Sequence, residues 1–252
     1  MLNTTRHSAE APTGDTPLLI AHGLFGSARN WGVIAKRLSD SRDVVAVDMR
    51  NHAGSFRADR HGYHDLAGDL AQVIAAEGRP MDVLGHSMGG KAAMVLALTR
   101  PDLVGRLVVA DIAPVAYAHS QSDLISAMRG VDLSGVTRRS EAGDQLTGIE
   151  PTTRSFLLQS LDVEARRWTL NLDVLEAEMD RIVGFPDVDG TFDGPALFLA
   201  GAESDYVRPE HRARIRALFP AARQAKIPGA GHWLHAEKPR EFEAAVRAFL
   251  DA

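Results

Sequence analysis

Cysteine is absent from this chain of 252 residues, and its absence excludes several kinds of chemistry at once. A protein without cysteine has no disulfide, no thiolate nucleophile and no cysteine-ligated zinc or iron–sulfur cluster. Long apolar runs are also missing. None approaches the roughly 18 residues that span a bilayer, and the first residues lack the apolar stretch of a secretory signal. We therefore expect a cytoplasmic protein that does not insert into a membrane.

An excess of positive charge is missing as well. The formal net charge is −5, so no basic field is available to hold nucleic acid or an anionic membrane. Hydrophobic residues make up 45% and charged residues 24% of the chain, as in ordinary globular proteins. The length suits a single α/β domain that carries an insertion. The composition therefore favours a small-molecule substrate over a nucleic-acid partner.

A G-x-S-x-G motif is the strongest chemical signal in the sequence. Gly85, Ser87 and Gly89 occupy its fixed positions, after a strand-like run and before a helix-like run over 88–98. A serine at a sharp strand-to-helix turn is held in strained backbone, and glycines two residues away on each side leave room for that turn. The pattern predicts a nucleophile elbow with Ser87 as the nucleophile.

The same stretch also fits the beginning of a phosphate-binding P-loop. Gly85 to Lys91 reads G-x-x-x-x-G-K, but that motif requires serine or threonine at the next position, where the hydroxyl binds Mg²⁺. Ala92 stands there instead. The nucleotide-binding interpretation therefore fails for lack of a metal ligand.

Short apolar runs alternate with helix-like segments along most of the chain. The runs lie at 17–21, 44–48, 81–84, 107–111 and 195–201; a possible edge strand near 2–7 and a strand around 224–227 are also expected. Strands that are apolar on both faces and alternate with helices predict a mostly parallel, doubly covered sheet in an α/β fold. Ligands of such sheets bind beyond the carboxyl ends of the strands.

Residues of about 114–194 interrupt this alternation, because they contain no strand-like run. We expect helices at 122–128, 137–146, 152–159, 163–170 and 172–183. Inserted between two strands, these helices would form a cap over a single core made of 1–113 and 195–252. Large apolar residues of the cap either fill its own core or line a pocket. The candidates for the pocket are Phe25, His86, Met128, Phe156, Trp168, Phe185 and Trp233.

A serine nucleophile needs a base, and a third group must orient that base. His232 is the best candidate among the histidines, because it follows a predicted strand within Gly-Ala-Gly-His. His22 and His86 are interpreted as residues that shape loops, whereas the surface or loop histidines are expected to be His52, His61, His64 and His119. His232 and His235 form H-x-x-H without a cluster of carboxylates, so we expect no metal and no cofactor.

Two aspartates compete for the role of the orienting acid. The usual acid slot after the cap, three residues beyond Gly201, holds Ser204, and Asp205 comes one residue late. Asp111 ends the strand before the cap and could also reach His232. We prefer Asp111 and keep Asp205 as the alternative; both give the chain order serine, acid, histidine.

Acyl transfer also needs two N–H donors for the oxyanion. Met88, which follows the nucleophile, is expected to supply one from the beginning of its helix. The loop after the first buried strand is expected to supply the other, from Leu24 or alternatively from Phe25.

Taken together, these residues give a chain that resembles an α/β-hydrolase over nearly its whole length, and more narrowly the small bacterial YbfF-type esterases. The resemblance is carried by the five stretches 22–27, 48–52, 85–91, 111–115 and 229–239. It implies a cofactor-independent serine esterase acting on carboxylic esters or thioesters, with Ser87, Asp111 and His232 as the triad. One departure is Ala53, where glycine is usual in the turn after the second long strand.

Other functions use the same fold. A C–C bond hydrolase, a lyase or a perhydrolase would keep the three residues, and a non-catalytic ligand-binding module would need none of them. Dehalogenases and epoxide hydrolases are disfavoured, because they use an aspartate nucleophile where Ser87 stands.

Overall fold

Seven strands form the central sheet of the protein. The computed structural model describes residues 1–9, 11 and 14–252. The strands are β1 (Asn3–His7), β2 (Leu18–Ala21), β3 (Val44–Asp48), β4 (Met81–His86), β5 (Val104–Ala110), β8 (Ala196–Gly201) and β9 (Ala222–Ile227). They lie in the order β1-β3-β2-β4-β5-β8-β9, and β1 alone is antiparallel to its neighbour. The predicted parallel sheet and its edge strand are confirmed.

Alternate residues of the inner strands are buried on opposite faces of the sheet. In β5, Leu107 and Val109 join one apolar cluster, while Val108 and Ala110 join another. The first cluster also holds residues of α2 (Tyr63–Glu77) and α3 (Met88–Thr99), and the second holds residues of α1 (Gly32–Leu38) and α11 (Pro239–Leu250). Each fully buried aliphatic side chain stabilises the fold by about 1.5–3 kcal/mol. Helices on both faces explain why the strands are apolar on both sides.

The remaining helices are short. Two lie near the end of the chain, and five lie between β5 and β8. The former are α9 (Arg212–Leu218) and α10 (Leu234–Glu237); the latter are α4 (Ser122–Arg129), α5 (Arg139–Gln145), α6 (Pro151–Leu157), α7 (Leu172–Ala177) and α8 (Met179–Val183). In the described part of the chain, no helix has the length and apolar character needed to cross a bilayer.

The segment between β5 and β8 differs from the sequence prediction at 163–170. A helix was expected there, but β6 (Leu161–Asp162) and β7 (Arg167–Trp168) form a two-stranded antiparallel ribbon. Arg166 has a φ of 51° in the connecting turn, and the Asp162 carboxylate accepts the N–H of Ala165 at 3.0 Å. This local bond stabilises a turn in place of a helix. The predicted helix is wrong.

The predicted helix at 172–183 is interrupted at Glu178. This residue ends α7 and begins α8, and its carboxylate accepts the backbone N–H of His61 at 3.1 Å. The bond connects the helical segment to the loop before α2. Two short helices therefore replace the single long one.

Candidate active site

Ser87 lies at the turn between β4 and α3, with φ of 52° and ψ of −119°. Its flanking glycines are required by close packing. A Cβ atom at Gly85 would lie 2.3 Å from the Gly89 carbonyl oxygen, and one at Gly89 would lie 2.4 Å from the Ala21 carbonyl oxygen. Both distances are far inside van der Waals contact, so only glycine fits. The turn holds Ser87 in a left-handed conformation that is costly for a residue with a side chain.

His232 and Asp111 continue from Ser87 in a hydrogen-bonded series. The Ser87 hydroxyl lies 3.1 Å from His232 Nε2, and His232 Nδ1 lies 2.7 Å from Asp111 Oδ2. The carboxylate can only accept, so Nδ1 carries the proton in the neutral ring and Nε2 is free to accept from the serine. Hydrogen-bonded in this way, the serine hydroxyl can lose its proton to an oriented base.

Asp111 follows β5 directly, has a φ of 52° and is fully buried. Its Oδ1 accepts the N–H of Gly201 at 3.0 Å, and its Oδ2 accepts the hydroxyl of Ser204 as well as the histidine. Asp205, the alternative acid, is exposed. The structure thus places Asp111, and not Asp205, against His232. Ser204, which occupies the usual position of the acid, donates a hydrogen bond to the Asp111 carboxylate.

The imidazole of His232 is held between two aromatic rings. Tyr206 stacks on it with ring centroids 4.0 Å apart and an interplanar angle of 20°. On another side His86 lies 4.8 Å away, and its Nε2–H donates to the His232 carbonyl at 2.9 Å. Burial lowers the pKa of His86 well below its ordinary value, so this ring is neutral and can keep its donor role. Tyr206 is a site residue that the sequence analysis missed.

The candidate oxyanion donors lie on both sides of Ser87. The Met88 N–H is in the first turn of α3, where backbone N–H groups have no partner inside the helix. On the loop after β2, the Phe25 N–H donates to His52 Nε2 at 3.2 Å. That donor is therefore occupied, which favours Leu24 over Phe25.

Three buried histidines support this loop. His22 Nδ1–H donates to the Gly23 carbonyl at 2.7 Å, and its Nε2 accepts the Met49 N–H at 2.9 Å. Burial lowers the pKa of His22 to about 4 and that of His61 to about 3, and it lowers that of His52 well below its ordinary value. Neutral rings can donate from one nitrogen and accept at the other.

The prediction that His52 and His61 are surface or loop residues is wrong with respect to exposure, because both are fully buried. They lie on loops, but these loops pack beneath the site. His61 Nε2 lies 3.3 Å from the sulfur of Met88, so it contacts the residue that follows the nucleophile.

A cavity of about 730 Å³ opens beside Ser87 and His232. Of the predicted pocket residues, four line it: Phe25, His86, Phe156 and Trp233. The other three, Met128, Trp168 and Phe185, do not, and their prediction as pocket residues is wrong.

Those three side chains are used in packing. Met128 is fully buried, and its carbonyl accepts the indole N–H of Trp168 at 2.8 Å. Trp168 also packs against the small cluster around Leu161, and Phe185 packs toward the ring of Tyr63 at 6.5 Å. Apolar spacing in a helical segment does not distinguish these internal positions from the cavity wall.

Comparison with known proteins identifies the fold family. Residues 16–239 match the model of the alpha/beta hydrolase fold family. The chain belongs to the α/β-hydrolase family. Esterase YbfF of Escherichia coli K12 is 37% identical over 255 residues, with 99% of each chain covered. The sn-1-specific diacylglycerol lipase ABHD11 of Mus musculus is 42% identical over 246 residues, which cover 92% of this chain and 80% of the relative.

A solved structure is similar over the same extent. The structure titled "Marine microorganism esterase" superposes with a TM-score of 0.92 at 38% identity and covers 98% of both chains. These comparisons include proteins named as esterases and as a lipase, and they agree with the predicted α/β-hydrolase resemblance.

In this α/β-hydrolase the sequence analysis also missed Lys91 as a residue of the cavity. Lys91 follows Ser87 by one turn of α3, and its backbone N–H donates to the Ser87 carbonyl at 3.0 Å. Its side chain is 1% exposed and contributes to the cavity wall. Helical periodicity was the available signal, because residues four apart lie on one helix face.

Proposed function

We propose that the protein is a serine carboxylesterase that hydrolyses small to medium acyl esters through an acyl-enzyme on Ser87. The observation that carries the proposal is the hydrogen-bonded series from Ser87 through His232 to Asp111 beside a large cavity. The names of the esterase and lipase relatives support ester bonds over the C–C, lyase and perhydrolase chemistries of the same fold.

In the proposed reaction the Ser87 oxygen attacks the ester carbonyl while His232 Nε2 takes the hydroxyl proton. Asp111 holds the imidazole in orientation and stabilises the imidazolium. The N–H groups of Met88 and Leu24 donate to the oxyanion. His232 then returns the proton to the leaving alcohol. Water repeats the sequence on the acyl-enzyme and releases the carboxylic acid.

We further propose that residues of about 114–194 act as a cap that shapes the substrate cavity, with 1–113 and 195–252 as the core. The support is that Leu124, Ile149 and Phe156 from this segment line the same cavity as Ser87 and His232. Thioester substrates, a cytoplasmic location and independence of metals and cofactors belong to the proposal as well.

The test is hydrolysis of p-nitrophenyl esters of rising acyl length, together with acyl-CoA thioesters and a diacylglycerol. We expect Ser87→Ala to reduce kcat by at least about 10⁴-fold, because single losses from such triads have effects of this size or larger. A fluorophosphonate probe should label the parent protein and not the variant. Turnover that survives in a folded Ser87→Ala protein would refute the acyl-enzyme, and absence of both labelling and turnover in the parent would favour a ligand-binding module.

A further inference from the structure

Lys91 places a buried amino group, positively charged when protonated, in the wall of the cavity. Its Nζ donates to the carbonyls of Val183, at 2.8 Å, and Gly184, where α8 ends. It also lies 4.7 Å from the ring centroid of Tyr117 and 5.6 Å from that of Tyr63. The carbonyl dipoles and the ring faces partly replace the water that the ammonium loses on burial.

No carboxylate neutralises this ammonium among the described residues. Buried charges in proteins are ordinarily paired or bound to a ligand. The two nearby hydroxyls are already engaged, because that of Tyr63 donates to the Ile182 carbonyl and that of Tyr117 donates to the Tyr206 carbonyl. Both are neutral groups, and burial raises their pKa further. When Lys91 is protonated, its charge is thus solvated by dipoles and is not compensated by a carboxylate.

The cavity wall includes Lys91 and the groups around it. Lys91, Tyr63, Tyr117 and Val183 all line it, as do Ser87 and His232. Two of the three N–H donors of an ammonium are given to carbonyls, which leaves one donor. Lys91 is also the only lysine or arginine among the described residues that line the cavity. The lining carboxylates, Asp123 and Glu150, are exposed, so they lie where solvent screens them.

From this geometry we propose that Lys91 is a specificity-determining residue that binds a carboxylate carried by the substrate, so that half-esters of dicarboxylic acids or esters of hydroxy acids are preferred. The proposal rests on the proposed esterase function. A charge in a cavity of low dielectric interacts with an entering anion more strongly than it would in water. Burial lowers the pKa of Lys91 to about 7, and a bound carboxylate would favour the charged form.

The first experiment needs only the parent enzyme and pairs of substrates that differ in charge. Monomethyl succinate and its neutral amide, methyl succinamate, place the carboxylate on the acyl side. 3-Acetoxypropanoate and its amide place it on the alcohol side. We expect kcat/KM for the acid to exceed that for the amide by about 10- to 100-fold in one of the two pairs, the effect of a hydrogen bond to a charged group. Equal values in both pairs would overturn the proposal.

The second experiment uses Lys91→Met and Lys91→Gln, which remove the charge and keep much of the volume. In a folded variant we expect the ratio of kcat/KM for the acid to kcat/KM for the amide to fall to about 1, because kcat/KM falls further for the acid than for the amide. If Lys91 only attached α8 to α3, kcat/KM would fall equally for the acid and for the amide. That result would overturn the proposal. If neither variant folds, the ratio of kcat/KM for the acid to kcat/KM for its amide in the parent enzyme tests the proposal alone.

The outcomes separate this proposal from the esterase function itself. Hydrolysis of neutral p-nitrophenyl butyrate without a preference for either acid would refute the role of Lys91 and leave the esterase intact. Absence of turnover on every ester, with Ser87 unreactive toward a fluorophosphonate, would instead refute the proposed function.

Discussion

Several polar side chains around the sheet are buried, whereas those of the helical segment between β5 and β8 lie mostly at the surface. Around the sheet, charged and polar groups such as Asp111 and His22 are buried, and each is hydrogen-bonded to a defined partner. In the helical segment the ion pairs lie at the surface, as between Arg129 and Asp173, whose side chains are 38% and 91% exposed. Exposed pairs of this kind contribute about 0–1 kcal/mol.

The contrast indicates a division of labour. Buried, fully bonded groups fix the orientation of a reacting atom, because moving any one of them leaves a polar atom without a partner. The short helices between β5 and β8 contribute Leu124 and Phe156 to the cavity wall, and under the proposed function this position suits them to selecting a substrate. Under this view, substitutions around the sheet should alter chemistry and stability, and substitutions in the helical segment should alter mainly selectivity.

The largest expected effect is at the acid. We expect Asp111→Asn to lower kcat by about 10⁴-fold, because the amide would hold the histidine in the wrong tautomer. The matched control is Asp205→Asn, on an exposed neighbour in the same loop system, which should stay within about threefold of the parent. Steady-state kinetics on a p-nitrophenyl ester measure both. If kcat fell strongly in Asp205→Asn and not in Asp111→Asn, the acid would be Asp205.

The next largest effect is expected from replacing a buried phenylalanine of the sheet, in comparison with a phenylalanine of the cavity wall. Phe198 of β8 is 1% exposed and packs on Phe219 with ring centroids 5.3 Å apart. Phe198→Ala should lower the free energy of unfolding by about 3–5 kcal/mol. Phe156 of α6 is half-buried in the cavity wall beside Trp233, so Phe156→Ala should cost much less stability and should change the dependence of kcat/KM on acyl length. Denaturant unfolding measures the stability of both variants, and a series of esters of rising acyl length measures their activity. Equal losses of stability would contradict the proposed difference between the sheet and the helical segment.

The smallest expected effect concerns acid sensitivity. Burial, and next the nearby His232, lower the pKa of His235 to about 3. Between pH 3 and 6.5 the unfolded chain binds a proton at this residue that the folded chain does not, so stability falls as pH falls through this window.

His235→Phe tests this sensitivity and keeps an aromatic ring for stacking on Trp31, whose centroid lies 4.1 Å away. As the pH falls from 6.5 to 4, we expect the free energy of unfolding of the variant to decrease less steeply than that of the parent. The two slopes should differ by about 1.4 kcal/mol per pH unit. Urea titrations at several pH values measure the slope. An unchanged slope would show that this imidazole takes up its proton without unfolding.

The sequence predicted the inner part of the sheet well because the inner strands are buried on both faces and read as nearly uninterrupted apolar runs. The same reasoning failed at 163–170, where apolar spacing suited a helix but the local bond from Asp162 to Ala165 closes a turn. Short elements in a surface segment are decided by such single bonds, which periodicity does not encode.

At the site, sequence pattern was sufficient to propose Ser87 and His232, since each lies in a glycine-rich turn after a strand. Two residues of the site, Tyr206 and Lys91, were missed. Tyr206 stacks on His232, and Lys91 contacts the end of α8, only because the folded chain brings β8, α3 and α8 together. His52 was expected at the surface because it lies in a polar loop, yet that loop is buried by its neighbours.

The pairing of β5 with β8, in which Leu107 lies opposite Ala196, has a consequence for the order of folding. Asp111 precedes the helical segment, whereas Ser204 and His232 follow it, so the contacts of Asp111 with these two residues require this long-range pairing. Loop closure costs only about 0.6 kcal/mol for each doubling of loop length, and the sheet can therefore accommodate inserts of very different size. Under the proposed function, inserts of different size would select different substrates without a change in the Ser87–His232–Asp111 series.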